Sequence, residues 1–373
     1  CRRGCAPTWW MLLKAFRETG HEVIAIPYLG DPVESLWWRT YENPCSWQSR
    51  FFNAVSKSNV KHVNGKNGLS ATASKFLVQN HIRPRWKRHL DHVLTKEKDV
   101  DFIFFMNVPI NHFTGLPTHI KEEFGVKLVF YDGDMPTILP KYAVDRGFKF
   151  NYYEGADLSE YDVFFSNSKG AIPDIEALGA RNVHPLYWAA DPELCKPLEV
   201  PKDYDVSFFG YGSQFREEWM NRLITEPSQR NPHVRFVVGG GGFDIPLGKV
   251  ELVGDLPYSQ FGGFVSRSKI NLNITRRSHT SVYASATSRP FELAAYGACI
   301  VSQPYEGIQE WFEVGKELLL VHNDTNVDEL YRFLLDDQEA ANEIGRRARE
   351  RLLRDHTFQH RAIEVVQAVK ALG

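Results

Sequence analysis

Two α/β domains, each a doubly wound parallel sheet flanked by helices, are predicted by three observations. Short apolar runs alternate with helix-like segments along almost all of the 373 residues. The rhythm breaks once, over "DPELCKPLEVPKDYD" at 191–205. That stretch is polar, carries Pro192, Pro197 and Pro201, and reads as an interdomain linker. A second alternating series follows it, and a chain of this length suits two cores.

The elements follow in order. A helix is predicted from about Pro7 to Thr19, with Gly20 ending it, and "HEVIAIPY" is the first strand. A parallel α/β domain ordinarily places a strand before such a helix, so the first strand is expected to be missing from the numbered chain, or atypical. Residues 31–98 are polar and rich in aromatics. They read as inserted helices with a mobile loop near "NVKHVNGKNG". "VDFIFFMN", "VKLVFYD", "YDVFFSNS" and "NVHPLYW" continue the first sheet. The second series has strands "YDVSFFGYG", "VRFVVGG", "KVELVGDL", "SKINLNITR", "GACIVSQP" and "ELLLVHN". Its helices include "QFREEWMNRLI", "YSQFGGFVSR", "RPFELAAYG" and "VDELYRFLLD". Two helices close the chain. Thr357 caps the last, and Ala362, Ile363, Val366 and Val369 give it an apolar face. The predicted boundaries are 1–195, 196–356 and 357–373.

Composition narrows the function. A net charge of −2 argues against a dedicated nucleic-acid binder. Five arginines between Arg346 and Arg354 alternate with Glu343 and Glu350, the pattern of a solvated helix face. The five cysteines (Cys1, Cys5, Cys45, Cys195 and Cys299) are odd in number and form no CxxC. Neither a disulfide framework nor a zinc site is expected, and reduced thiols point to the cytoplasm. No apolar run nears the ~18 residues of a membrane span, and no secretory signal peptide is visible. Peripheral contact with a membrane stays compatible with this.

Ligands of doubly wound sheets bind beyond the carboxyl ends of the strands, so the candidate residues are sought there. Gly210, Gly212, Ser213 and Arg216 follow one strand, where glycines let a ligand approach the backbone and a helix start offers N–H groups to an anion. The same pattern also makes an ordinary strand-to-helix turn. Gly254 and Tyr258 end the next candidate loop, placed to meet a base edge and ring or simply to cap a turn. The third constellation is "NLNITRRSHTSVYASATSRPFELAAYG". Ser288 reads as the N-cap of its helix, Pro290 fits the first turn, and Phe291, Ala294, Ala295 and Ala298 lie on one buried face. Arg276, Arg277 and Arg289 around that helix start suit a diphosphate. Glu292 beside them suits the paired hydroxyls of a ribose, because an ionised acid accepts two hydrogen bonds. Arg289 and Glu292 also have the spacing of a plain helix ion pair.

The second half resembles the nucleotide-sugar domain of GT-B glycosyltransferases, and specifically the CgeB-like, spore-maturation-type family. The residues that carry this are "SFFGYGSQFREEW", "VGDLPYSQF", "SKINLNITRR", "SRPFELAAYGACIVSQPYEGIQEWFEVGKELLLVHN" and "RDHTFQHRA", in order over roughly 205–365. The linker "PLYWAADPELCKP" is also similar. The resemblance implies GT-B architecture, with two Rossmann-like domains facing a cleft and a last helix crossing back to the first domain. It implies that Glu292 holds the donor ribose, that Arg216, Arg276 and Arg289 lie on the phosphate side, and that Gly254 to Tyr258 form the base loop. It implies a nucleotide-diphosphate sugar as donor, a UDP-sugar favoured, with no further cofactor and no metal. The acceptor stays open among glycan, protein, lipid, small molecule and nucleic acid. Many retaining relatives carry a second glutamate eight positions before the ribose-binding one; here that position is Ala284. Its donor-sugar contact then falls to Tyr283 or to the loop with Glu306.

In the first half, "VFYDGDMPTIL" puts Asp132 and Asp134 after a strand, as candidates for acceptor orientation or general base, or as an Asp/Gly turn. His279 is a third candidate, against a solvated loop histidine. The reading is a hexosyltransferase-type glycosyltransferase. The alternatives are a GT-B sugar-nucleotide epimerase and a non-catalytic nucleotide-sugar or glycan binder.

Overall fold

The computed structural model describes residues 8–32, 34–47, 75–136, 139, 152–212 and 216–373. These form an α/β protein with parallel sheets. Two compact units result: residues 13–186 with 362–373, and residues 187–361 with the stretch before 13. The loop expected near "NVKHVNGKNG", Ser213, Cys1 and Cys5 lie outside the described residues.

Helix α1 (Thr8–Glu18) stops where glycine predicts. Gly20 adopts φ 93°, and the Thr19 hydroxyl donates back to the Ala15 carbonyl at 2.8 Å. "HEVIAIPY" supplies only β1 (Ile24–Ala25), paired in parallel with β2 (Arg39–Thr40). The second strand corrects the expectation of helices throughout 31–98. Two residues are too few to show a period of two in the sequence. The helical part is a π turn (Val78–Ile82) running into α2 (Arg83–Lys96). Trp86, Leu90, Val93 and Leu94 are its buried stripe, at i, i+4, i+7 and i+8.

The first large sheet is built from β3 (Phe102–Met106), β4 (Lys127–Asp132), β5 (Val163–Ser166) and β6 (Val183–Pro185), parallel and in that order. Phe105, Phe130 and Phe164 lie in register across three strands, and the last two stack with centroids 5.1 Å apart. Helix α3 (Leu116–Phe124) connects β3 to β4, and α4 (Ile172–Ala177) connects β5 to β6. The first turn of α3 is satisfied from a distance: Glu160 accepts from the Gly115 amide at 2.8 Å and from the Thr118 hydroxyl at 2.7 Å.

The other unit holds a six-stranded parallel sheet, ordered β12-β11-β10-β7-β8-β9. Its strands are β7 (Tyr204–Tyr211), β8 (Phe236–Gly241), β9 (Glu251–Gly254), β10 (Ser268–Asn273), β11 (Ile300–Ser302) and β12 (Leu319–Leu320). Strand order reverses between β7 and β10, which makes their carboxyl ends a switch point. The helices are α5 (Glu217–Met220), α6 (Glu226–Arg230), α7 (Tyr258–Ser266), α8 (Arg277–Thr280), α9 (Ser288–Ala295), α10 (Val327–Asp336) and α11 (Gln338–Asp355). A π turn, Asn221–Thr225, separates α5 from α6.

Helix α9 buries Phe291, Ala294 and Ala295 completely. Its N-cap is Thr287, one residue before the expected Ser288, and Gly297 at φ 66° ends it. Helix α11 crosses that end closely. A Cβ added at Gly345 would lie 2.1 Å from the Gly297 carbonyl oxygen. Gly345→Ala should therefore cost about 2 kcal/mol by forcing the crossing apart, read as a lowered denaturant midpoint at unchanged slope. The arginines of α11 are not uniformly solvated, contrary to expectation. Arg346 and Arg347 are exposed and share Glu343, whereas half-buried Arg349 donates to the Ala295 carbonyl at the end of α9.

The last helix, α12 (Phe358–Lys370), buries Ala362, Val365 and Val366. Ile363, expected on that face, is 43% exposed. Residues 362–373 group with the unit of β3 to β6. Cys45, Cys195 and Cys299 are buried free thiols. No helix among the described residues is long and apolar enough to cross a membrane.

Candidate functional site at the carboxyl ends of the strands

The switch point is tied together by one side chain. Arg216 Nε donates to the Ile274 carbonyl after β10 at 3.0 Å. Its Nη1 donates to the carbonyls of Tyr211, the last residue of β7, and of Gly212, at 2.6 and 3.0 Å. A guanidinium fixed across two strand ends puts a permanent positive charge where an anion would sit. Glycine serves the same place. A Cβ at Gly240 would lie 1.8 Å from the Gly210 carbonyl oxygen, so β7 and β8 approach too closely there for any other residue. Gly212 turns the chain at φ 73°.

Arg276 precedes α8, and its carbonyl accepts from the His279 amide at 3.0 Å. His279 is buried, and its Nδ1 is 3.0 Å from the Ser285 hydroxyl. Burial, then the charges of Arg276 and Arg216, hold its imidazole down to about 3. The solvated alternative for His279 is thereby overturned: it is a neutral, buried ring wedged beside two cations. Arg216, Arg276 and His279 thus form one group.

A second group gathers at the start of α9. Arg289 Nη1 lies 2.9 Å from Glu292 Oε2, so the ion pair read from the spacing is present. It is not a solvated pair. The Arg289 guanidinium lies over the Phe261 ring at 4.4 Å and near the Phe209 ring at 5.4 Å. Glu292 lies one turn into α9, among Tyr258, Tyr296 and Cys195. Burial, with the Glu292 charge behind it, pushes the Tyr258 hydroxyl well above its ordinary range. That hydroxyl is 3.1 Å from Cys195 Sγ, whose thiol burial raises to about 11. The α7 and α9 starts are thus brought together with the end of β7. Gly254 ends β9 at φ 68° and is exposed.

Ala284 has a physical account. Its φ is 45°, it is fully buried, and its amide donates to the Glu306 carbonyl at 2.8 Å. A Cβ at Gly307 would lie 2.3 Å from the Ala284 nitrogen. A glutamate at 284 would need a left-handed backbone and a buried charge in a closed space. Glu306 itself is exposed, on a loop stitched by its backbone to Thr280 and Ala284. Tyr283 is turned elsewhere, donating to Glu310 at 2.7 Å.

Asp132 and Asp134 belong to the other unit and differ from each other. Asp132 ends β4 and is buried. Its Oδ2 accepts from the Tyr153 hydroxyl at 2.6 Å and its Oδ1 from the Asp134 amide at 2.9 Å. Burial and the nearby Asp134 charge raise its carboxyl to about 7, against the opposing pull of those donors. Asp134 is exposed.

Sequence reading missed Phe209 and Phe261 as the shelf under Arg289, Ser285 as the His279 partner, and Tyr153. The alternation of β7 placed Phe209 on a face, but nothing local ties it to a helix 80 residues on. Among the described residues no three His, Cys, Asp or Glu side chains form a metal-holding group.

Residues 216–367 match the family described as Glycosyl transferase-like. A search of the curated proteins found no match. A sucrose-phosphate synthase from Thermosynechococcus elongatus superposes with TM-score 0.63 at 13% identity, over 98% of this chain and 92% of that one. HepE from Anabaena, solved with UDP and glucose, gives 0.60 at 11% identity, over 98% and 97%. A glycosyltransferase from Rickettsia africae gives 0.57 at 10% identity, over 98% and 96%. At such identities the likeness is one of fold: the chain has the GT-B fold, and residues 216–367 are glycosyltransferase-like in sequence as well.

Proposed function

We propose that the protein transfers a sugar from a nucleotide-diphosphate sugar to an acceptor hydroxyl without a metal, as a CgeB-like, hexosyltransferase-type enzyme. The observation that carries this is the pairing of two groups within the glycosyltransferase-like segment. Arg216 and Arg276 flank the switch point, and Arg289 and Glu292 head α9 beside the aromatic shelf. HepE, a neighbour in fold, is solved with UDP and with UDP-glucose, which favours a uridine donor.

In this reading the acceptor oxygen bonds to the anomeric carbon as its bond to the diphosphate oxygen breaks. The diphosphate leaves with the electron pair, and the acceptor proton passes to a base. Arg216, Arg276 and the start of α9 stabilise the leaving charge. Glu292 accepts from the two ribose hydroxyls, and Tyr258 with the Gly254 turn covers the base. His279, neutral and buried, positions the Arg276 loop instead of moving a proton. Exposed Asp134 is the candidate base, and Asp132 holds its turn.

Calorimetry with UDP tests the donor site. The wild-type protein should bind it, and Arg276→Ala should weaken binding about tenfold, the loss of one charge-assisted hydrogen bond. Absence of UDP binding by the wild-type protein would sink the reading.

A further inference from the structure

The carboxyl ends of β3, β4 and β5 carry polar groups that the donor reading leaves unused. Asn107 follows β3 with φ 49°, a left-handed conformation uncommon outside glycine, and it is exposed. Its Oδ1 accepts from the Gly133 amide at 2.6 Å, which binds it to the turn after β4 and leaves Nδ2 as a donor. Asp134, exposed on that same turn, is held by its amide to Asp132. The half-buried Tyr152 phenol is close enough to feel the charges of both acids behind its own burial. At the end of the neighbouring β5, the Asn167 amide donates to the Asp132 carbonyl at 3.1 Å. The next residue, Ser168, is fully buried and its hydroxyl has no partner. Unpaired buried hydroxyls are uncommon and call for a water or a ligand.

An amide donor and an exposed carboxylate, both tied to the one turn after β4, suit vicinal hydroxyls, each of which both donates and accepts. A carboxylate at the centre of the set disfavours an anionic ligand by like charge. We propose that the ends of β3, β4 and β5 form a subsite for a neutral sugar. Asn107 Nδ2 donates to one hydroxyl and Asp134 accepts from its neighbour. As the acceptor subsite it rests on the glycosyltransferase reading; as a sugar site it stands on this unit alone.

The test is a titration with methyl α-glucoside, methyl α-galactoside, methyl α-mannoside, glucuronate and glucose 6-phosphate, followed by ligand-observed NMR, with UDP titrated separately. At least one neutral glycoside should bind more tightly than both acids. Asn107→Asp, which keeps the Gly133 hydrogen bond but removes the donor, should weaken it at least tenfold and leave UDP binding unchanged. Should that variant fail to fold, Asn107→Gly keeps the left-handed backbone and should give the same loss. UDP binding without binding of any neutral sugar would overturn the subsite, as would unchanged sugar affinity in the folded variant. Sugar binding that depends on Asn107 in a protein that ignores UDP would uphold the subsite and sink the donor reading instead.

Discussion

Replacing Glu292 with alanine should weaken UDP binding about a hundredfold and leave the fold intact. An ionised carboxylate accepting from two ribose hydroxyls makes two charge-assisted bonds, together worth about 3 kcal/mol, or roughly a hundredfold. The stability cost is far smaller. Glu292 pairs with Arg289 three residues away; a solvated helix pair contributes about 0.2–0.5 kcal/mol, and this mostly covered pair about 1 kcal/mol. The contact of Arg289 with the Phe261 ring should hold it in place in the variant. The two readings of the pair therefore diverge: a structural ion pair predicts a small stability loss with unchanged affinity, and ribose recognition predicts the reverse. Calorimetry and a denaturant melt on one variant decide between them.

Acidification should unfold the unit of β7 to β12 before the unit of β3 to β6. His279 and His356 in the former, and His112 in the latter, are each held down to about 3, in every case chiefly by burial. An unfolded histidine titrates near ~6.5. Between those values the unfolded chain binds more protons, so the stability these rings contribute is present above ~6.5 and is lost as pH falls. At pH 5 each ring has cost about 2 kcal/mol. Asp132 has the opposite sign. Its carboxyl is raised to about 7 from 3.8, so the folded chain binds the extra proton and gains about 3 kcal/mol by pH 5. That gain offsets the His112 loss within its unit, where half-buried His89, also held below its ordinary value chiefly by burial, adds a smaller loss. In the other unit His279 and His356 together lose about 4 kcal/mol. Hydrogen exchange at pH 7 and pH 5, corrected for intrinsic rates, should show protection falling in peptides around Phe291 while those around Phe130 hold. Loss around Phe130 first, or equal loss in both, would contradict the assignment.

The fold was legible where burial is periodic. The strand runs of both large sheets, the Gly20 and Gly297 stops and the apolar face of α9 follow from patterns within a dozen residues. The two-residue β2 and the face of α12 did not, because one is too short for a period and the other is chosen by what α12 packs against. The candidate site divides the same way. Glu292, Arg289 and Arg276 show as charges at a helix start. The aromatic shelf, the Arg349 support for α9, the burial of His279 and the Asn107 bond to Gly133 arise from residues far apart in the chain. Ala284 is the instructive case. Sequence shows a missing acid; structure shows a left-handed, closed position where an acid's charge would be buried.

Transfer of a sugar from a nucleotide donor is tested by incubating the wild-type protein with UDP-glucose, UDP-galactose and UDP-N-acetylglucosamine, with products separated by chromatography and identified by mass. UDP and free sugar should appear from at least one donor by slow hydrolysis, with UDP release faster when the neutral sugar that binds at Asn107 is added. Recovery of every donor intact, or its conversion to an epimeric nucleotide sugar, would contradict it.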